Sequence, residues 1–126
     1  MADKSYRILI VEDEEPIRTS YEEIFKGANF DVETAENGVK ALEKLQKGTF
    51  DIMLLDLMMP EMDGIETLDR IKKEGDKFAD MQIIVLTALG SDNVITKAFE
   101  HGANGYLIKT EFNPVEVIEE VKTYLE

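Results

Sequence analysis

Three short stretches of the chain are apolar without interruption: Ile8 to Val11, Ile52 to Leu55 and Ile83 to Leu86. Such runs predict strands covered on both faces, and hence the middle of a parallel sheet. Phe30-Asp31-Val32-Glu33-Thr34 instead alternates apolar with polar, and Tyr106-Leu107-Ile108 is short and follows Gly105, so these two suit the sheet edges. Between the strands the apolar positions take helical spacing: Ile17, Tyr21, Ile24 and Phe25, then Leu42 and Leu45, then Ile65, Leu68 and Ile71. A fourth stripe, Val94, Ile95, Ala98 and Phe99, follows Ser91 as expected N-cap. The fifth, Val117, Ile118, Val121 and Leu125, is opened by Asn113-Pro114-Val115-Glu116, with proline at the first helical position and glutamate at the third.

This βα alternation runs from end to end without linker or repeat, so the expected fold class is α/β. Strands one, three and four in the centre fit a doubly wound five-stranded parallel sheet, order 2-1-3-4-5, flavodoxin-like. A single domain over residues 1–126 is expected from the length. Ligands of such sheets bind above the carboxyl ends of the strands where the winding reverses, here strands one and three.

Those two strand ends are acidic. Strand one runs into Glu12-Asp13-Glu14-Glu15, and strand three ends on Asp56, with Pro60 and Gly64 marking the loop after it. Glu14 and Glu15 are accounted for by the positive end of the following helix dipole. Glu12, Asp13 and Asp56 should meet, and like charges brought together call for a cation or proton. A divalent ion preferring oxygen ligands, Mg²⁺ with Mn²⁺ as a substitute, suits them. Strands four and five end at the same rim on Thr87 and Lys109, adding a hydroxyl and an ammonium.

Composition narrows the class further. Lys and Arg number 14 against 27 Asp and Glu, a net charge of −13 that repels nucleic-acid backbones and anionic lipid, so neither is expected as a partner. The absence of cysteine removes disulfide and thiolate chemistry. No apolar run approaches the roughly 20 residues that span a bilayer, and Met1 to Ser5 does not resemble a signal peptide, so a cytoplasmic location is expected.

Leu55-Asp56-Leu57-Met58-Met59-Pro60-Glu61-Met62-Asp63-Gly64, with Glu12-Asp13, Thr87-Ala88, Tyr106 and Lys109, resembles the receiver domains of two-component response regulators over essentially the whole chain. The resemblance implies that Asp56 is the phosphoacceptor, charged by a sensor histidine kinase or a histidine phosphotransfer protein. It implies that Asp13 and Asp56 bind Mg²⁺ directly, Glu12 through water, and Met58 by its backbone carbonyl. Lys109 and Thr87 would serve the phosphoryl oxygens. Thr87 and Tyr106 would switch together, remodelling the helix 4, strand 5, helix 5 face toward a downstream partner protein, the chain acting as a monomer or a phosphorylation-dependent dimer.

The chain departs from the family where Lys109 precedes Thr110 instead of proline. Family precedent points to a cis bond there, which before a non-proline residue costs about 2.5–4 kcal/mol; the alternative is a loop after strand five rebuilt around a trans bond. Met58 and Leu89 occupy positions that in the family tune hydrolysis of the acyl phosphate; both are apolar, which predicts slow autodephosphorylation. The expected protein is a signalling receiver that catalyses only its own aspartyl phosphorylation and dephosphorylation. The competing reading is a Mg²⁺-dependent phosphohydrolase, but the sequence lacks the second acid two residues after Asp56, where Met58 stands, and any cap insertion for substrate recognition. Ending at helix five, the chain is expected to signal through a partner and not through an attached output module. His101 is expected at a helix C-terminus, and the methionines after Asp56 as packing groups.

Overall fold

The computed structural model describes residues 5–57, 63–88 and 92–125. Its elements are β1 (Arg7–Val11), α1 (Glu15–Gly27), β2 (Asp31–Ala35), α2 (Gly38–Lys47), β3 (Ile52–Asp56), α3 (Gly64–Lys72), β4 (Gln82–Thr87), α4 (Asp92–Glu100), β5 (Gly105–Ile108) and α5 (Pro114–Leu125). Short 3₁₀ turns occupy Gly75–Phe78 and Lys109–Glu111. The strands form one parallel sheet in the order β2-β1-β3-β4-β5, with the two less apolar strands at its edges.

Alternate residues of the central strands feed two separate cores. Leu9, Val11, Met53, Leu55, Ile83 and Val85 pack with Ala41, Leu45, Leu68, Ile71 and Ala98 of α2, α3 and α4. Ile8, Ile10, Ile52, Leu54, Ile84 and Leu86 pack with Tyr21, Phe25, Val117, Ile118 and Val121 of α1 and α5. This two-sided burial is why the strands read as unbroken apolar runs: every side chain has a helix layer to enter. At about 1.5–3 kcal/mol for each large side chain fully buried, these layers dominate the favourable side of folding.

The expected helix stripes hold except on α4, where Ile95 is only half-buried and joins neither core among the described residues, and where Phe99 lies outside. Phe99 does not join the core: it is 45% exposed on α4 and meets Tyr106 of β5 edge to face, ring centroids 6.1 Å apart. The small Ala98 takes the buried position instead, at 1% exposure. The α5 start forms as predicted: the Asn113 side chain accepts from the Glu116 N–H, and the Glu116 side chain from the Asn113 N–H, each at 2.9 Å. Ser91, the expected cap of α4, lies outside the described residues. Phe30 precedes β2 and packs edge to face on Phe25 at 5.0 Å.

Candidate functional site

Strand register assembles the site. Val11 lies beside Leu55, Asp56 beside Leu86 and Thr87 beside Ile108, so Glu12, Asp56, Thr87 and Lys109 are each at or just past a strand end on one rim. Glu12 is 2% exposed, Asp56 4% and Thr87 fully buried, while Asp13 is half-buried. Carboxylate oxygens of Glu12, Asp13 and Asp56 all fall within 4.8 Å of one another. The Lys109 ammonium reaches into this group, donating to Glu12 Oε1 at 2.6 Å and to Asp56 Oδ2 at 3.3 Å.

The charge balance is unfavourable to full ionisation. Burial pushes the Glu12 carboxyl from its ordinary 4.5 up to about 7; the Lys109 hydrogen bond opposes the rise and the Asp56 charge adds to it. For Lys109, burial alone would lower the ammonium pKa, but its bond to Glu12 and the nearby acids outweigh burial and raise it. Lys109 therefore stays charged while two buried acids share it. That set of hard oxygen donors, with negative charge in excess of the one ammonium, fits a Mg²⁺-type ion.

Gly64 packs directly against the end of β3. Its N–H donates to the Leu57 carbonyl at 3.1 Å, and a Cβ there would lie 2.6 Å from Leu57 Cα. Gly64 is thus the first residue of α3, capped by the Asp63 side chain accepting from the Glu66 N–H at 2.9 Å, and not merely a loop residue. Met58 and Pro60, like Leu89, lie outside the described residues.

The expected cis bond is not found: among the described residues no peptide bond is cis, and Lys109 still enters the site. Thr110 carries none of the cis preference that proline confers, and a trans 3₁₀ turn over Lys109–Glu111 accommodates the loop. Tyr106 stands on the outer face, 39% exposed, against Phe99 and away from the acids. His101 is at the end of α4 as expected, its Nδ1 2.7 Å from the Lys97 carbonyl and followed by Gly102 at φ 104°.

Two neighbours of the site were not marked as such by the sequence: Arg18 has no signature in apolar periodicity or in any acidic motif, and Tyr21 reads only as part of the apolar stripe of α1. Arg18 of α1 donates from Nη1 to the carbonyls of Glu12 and Asp13, at 2.9 and 3.3 Å. Tyr21 is a core residue whose hydroxyl faces the same charges; burial raises its pKa, the Lys109 charge lowering and the Glu12 charge raising it. A cleft of about 340 Å³ beside them is lined by Pro16, Ile17, Tyr21, Lys109, Phe112 and Pro114. A second, of about 510 Å³, lies at the opposite, amino end of the strands around Arg7 and Phe50, remote from the acids.

Residues 8–122 match the model of the response regulator receiver domain family. The chain is 37% identical over 121 residues to the transcriptional regulatory protein SrrA of Staphylococcus aureus, covering 96% of this chain and 48% of that protein. It thus spans about half the length of the curated relatives it matches. Among solved structures, the chemotaxis protein CheY4 of Vibrio cholerae superposes with a TM-score of 0.88 at 30% identity, covering 95% of this chain and 98% of that one. The response regulator TrrA of Thermotoga maritima, in complex with Mg²⁺-BeF, gives 0.80 at 36% identity, covering 94% and 97%. Among the described residues no helix is long and apolar enough to cross a membrane. A family match over residues 8–122, with a relative 37% identical over 96% of the chain and solved structures of the same fold, means that this chain belongs to the response regulator receiver domain family.

Proposed function

We propose that the chain is a single receiver domain that takes a phosphoryl group onto Asp56 from a histidine kinase or histidine phosphotransfer protein and passes the signal to a partner. The observation that carries this is the convergence of three acids, their carboxylate oxygens within 4.8 Å of one another, with the Lys109 ammonium bonded to two of them, Glu12 and Asp56. A structural ion pair alone would not need a second nearly buried acid with a third, half-buried one beside it, since each adds a desolvation cost.

In this reading an Asp56 carboxylate oxygen attacks phosphorus, an O–P bond forming as the N–P bond of the donor breaks. Lys109 is placed to offer its charge to the transferred oxygens, and Thr87, at the end of β4, its hydroxyl. Asp13 and Asp56 would hold Mg²⁺ directly, Glu12 through water, with the Met58 carbonyl as a further ligand; Mn²⁺ could substitute. A divalent ion held there would supply positive charge to neutralise the reacting oxygens. The apolar cleft beside Lys109 gives a donor protein a surface to pack on.

Output runs through α4, β5 and α5. The new phosphoryl group draws Thr87 toward it and lets Tyr106 leave Phe99 and turn inward, which exposes a different surface to the downstream protein or to a second copy. Neither the Met58 nor the Leu89 side chain carries a polar group that could orient an attacking water, so the adduct is long-lived. The reaction on the chain's own aspartate is the only catalysis proposed.

Intact-mass measurement after incubation with Mg²⁺ and acetyl phosphate tests this, with Asp56→Asn as control. One phosphoryl adduct that accumulates, and that the variant lacks, is expected. Multiple turnover of phosphate esters with no adduct would instead favour a phosphohydrolase.

A further inference from the structure

The β1–α1 connection must present Glu12 and Asp13 at a set angle, yet the usual helix-start device is missing. Glu14, the residue before α1, makes no side-chain cap bond. The last ladder-like bond is from the Glu12 N–H to the Ala35 carbonyl at 3.0 Å. The carbonyls of Glu12 and Asp13 are then both taken by one guanidinium, that of the half-buried Arg18. Its own N–H is bonded to the Glu14 carbonyl at 2.9 Å, so the side chain reaches back over the loop from a regular helical turn.

Those two carbonyls belong to the peptides on either side of the Asp13 Cα. Holding both sets the direction in which the Asp13 side chain leaves the backbone. The second of these peptides is also gripped at its other edge: the Glu14 N–H donates to Glu12 Oε2 at 3.2 Å. Arg18 thereby helps to place the donor that orients the Glu12 carboxylate. Among the described residues Arg18 makes no ion pair, so its guanidinium is committed to the backbone of the acidic loop and not to a surface acid. Both bonds leave one nitrogen, Nη1, whose two N–H groups are fixed in the guanidinium plane; a lysine would match the charge but on a shorter arm with a freely rotating end.

We propose that Arg18 is a positioning residue for the metal site, bracing the Glu12 and Asp13 peptides so that their carboxylates face Asp56. The proposal rests on the reading of Glu12, Asp13 and Asp56 as the Mg²⁺ site. It is tested by calorimetric titration of MgCl₂ into the parent chain, Arg18→Met, Arg18→Lys and Asp13→Asn, with urea unfolding of each in EDTA. Arg18→Met, which keeps the apolar stem, is expected to raise the Mg²⁺ dissociation constant about tenfold, within the range for residues that orient metal ligands, while its urea midpoint stays near the parent's. Arg18→Lys should recover only part of the affinity.

Parental affinity in Arg18→Met would overturn the proposal, as would full recovery by lysine, which would reduce the role to charge. A collapse of the urea midpoint in both Arg18 variants would overturn it too, by showing a purely structural brace. If Asp13→Asn loses Mg²⁺ binding while Arg18→Met does not, only the role of Arg18 fails. If the parent itself does not bind Mg²⁺, the reading of the site fails and takes the proposal with it.

Discussion

Replacing Gly64 by alanine should damage the fold and the site together, for a reason of space and not of backbone conformation. A Cβ at Gly64 would stand 2.6 Å from both Cα and Cδ2 of Leu57 and 2.8 Å from the Asp56 carbonyl oxygen. Ordinary contacts are about 3.5–4.0 Å, so α3 or the Asp56-Leu57 peptide must retreat by about 1 Å. Two of the struck atoms are backbone, which cannot rotate away, and the retreat strains the Gly64 N–H bond to the Leu57 carbonyl. Overpacking costs about 1–3 kcal/mol and a weakened hydrogen bond about 1 more. For a domain of this length that is a fall in Tm of roughly 8–15 °C. The struck peptide carries Asp56, and a displacement of about 1 Å at a reacting group can lower a rate about 100-fold. Thermal unfolding by circular dichroism and the initial rate of the acetyl phosphate adduct by intact mass read the two effects. Gly27→Ala is the control, because nothing lies within 4 Å of a Cβ there. Gly64→Ala with parental Tm and parental adduct rate would refute the argument from close approach.

The raised Glu12 pKa makes metal-free protein less stable as pH rises. Between about 4.5 and 7 the folded chain keeps a proton that the unfolded chain releases, so stability falls over that window and levels off above it. Glu12→Gln should therefore gain about 3 kcal/mol at pH 8 in EDTA and almost nothing at pH 4.5, measured by urea unfolding at both pH values. Lys109→Met removes the hydrogen bond that holds Glu12 down, so the Glu12 carboxyl followed by ¹³C NMR should titrate above about 7; an unmoved midpoint would show that the bond has no electrostatic weight. Asn113→Ala breaks the reciprocal cap of α5 and should cost about 1 kcal/mol in chemical denaturation, with no effect on Asp56 phosphorylation.

The sheet was legible because each strand is marked by its surroundings. A strand with helices on both faces has no polar position, so Ile52-Met53-Leu54-Leu55 identifies itself, and the alternating Phe30 to Thr34 segment declares an edge. The acids were legible because they follow apolar runs, where a charge has no structural use in the ladder. Phe99 was misplaced because helical spacing tells which residues share a face but not where a helix layer stops: α4 turns Ala98 inward and leaves its neighbour outside. Arg18 had no signature at all. Its partners are carbonyl groups, which carry no residue type, and arginine five or six positions after an acid is common on helices.

The placement of the site follows from the core more than from any bond within it. The residues that meet at the rim are each at or one step beyond the last paired position of their strands, and like charges there give the chain no reason to gather them. What gathers them is register. Sliding β3 by one residue would bring Leu57 to the place of Asp56, and it would also turn Met53 and Leu55 toward α1 and α5, and Ile52 and Leu54 toward the other layer. Both cores would then have to repack four large side chains, at a cost well above the electrostatic strain that raises the Glu12 pKa. The apolar stripes can therefore hold acids together at a strand-end rim against their repulsion, and that opposition is what leaves the cluster with an excess of negative charge for a cation to neutralise.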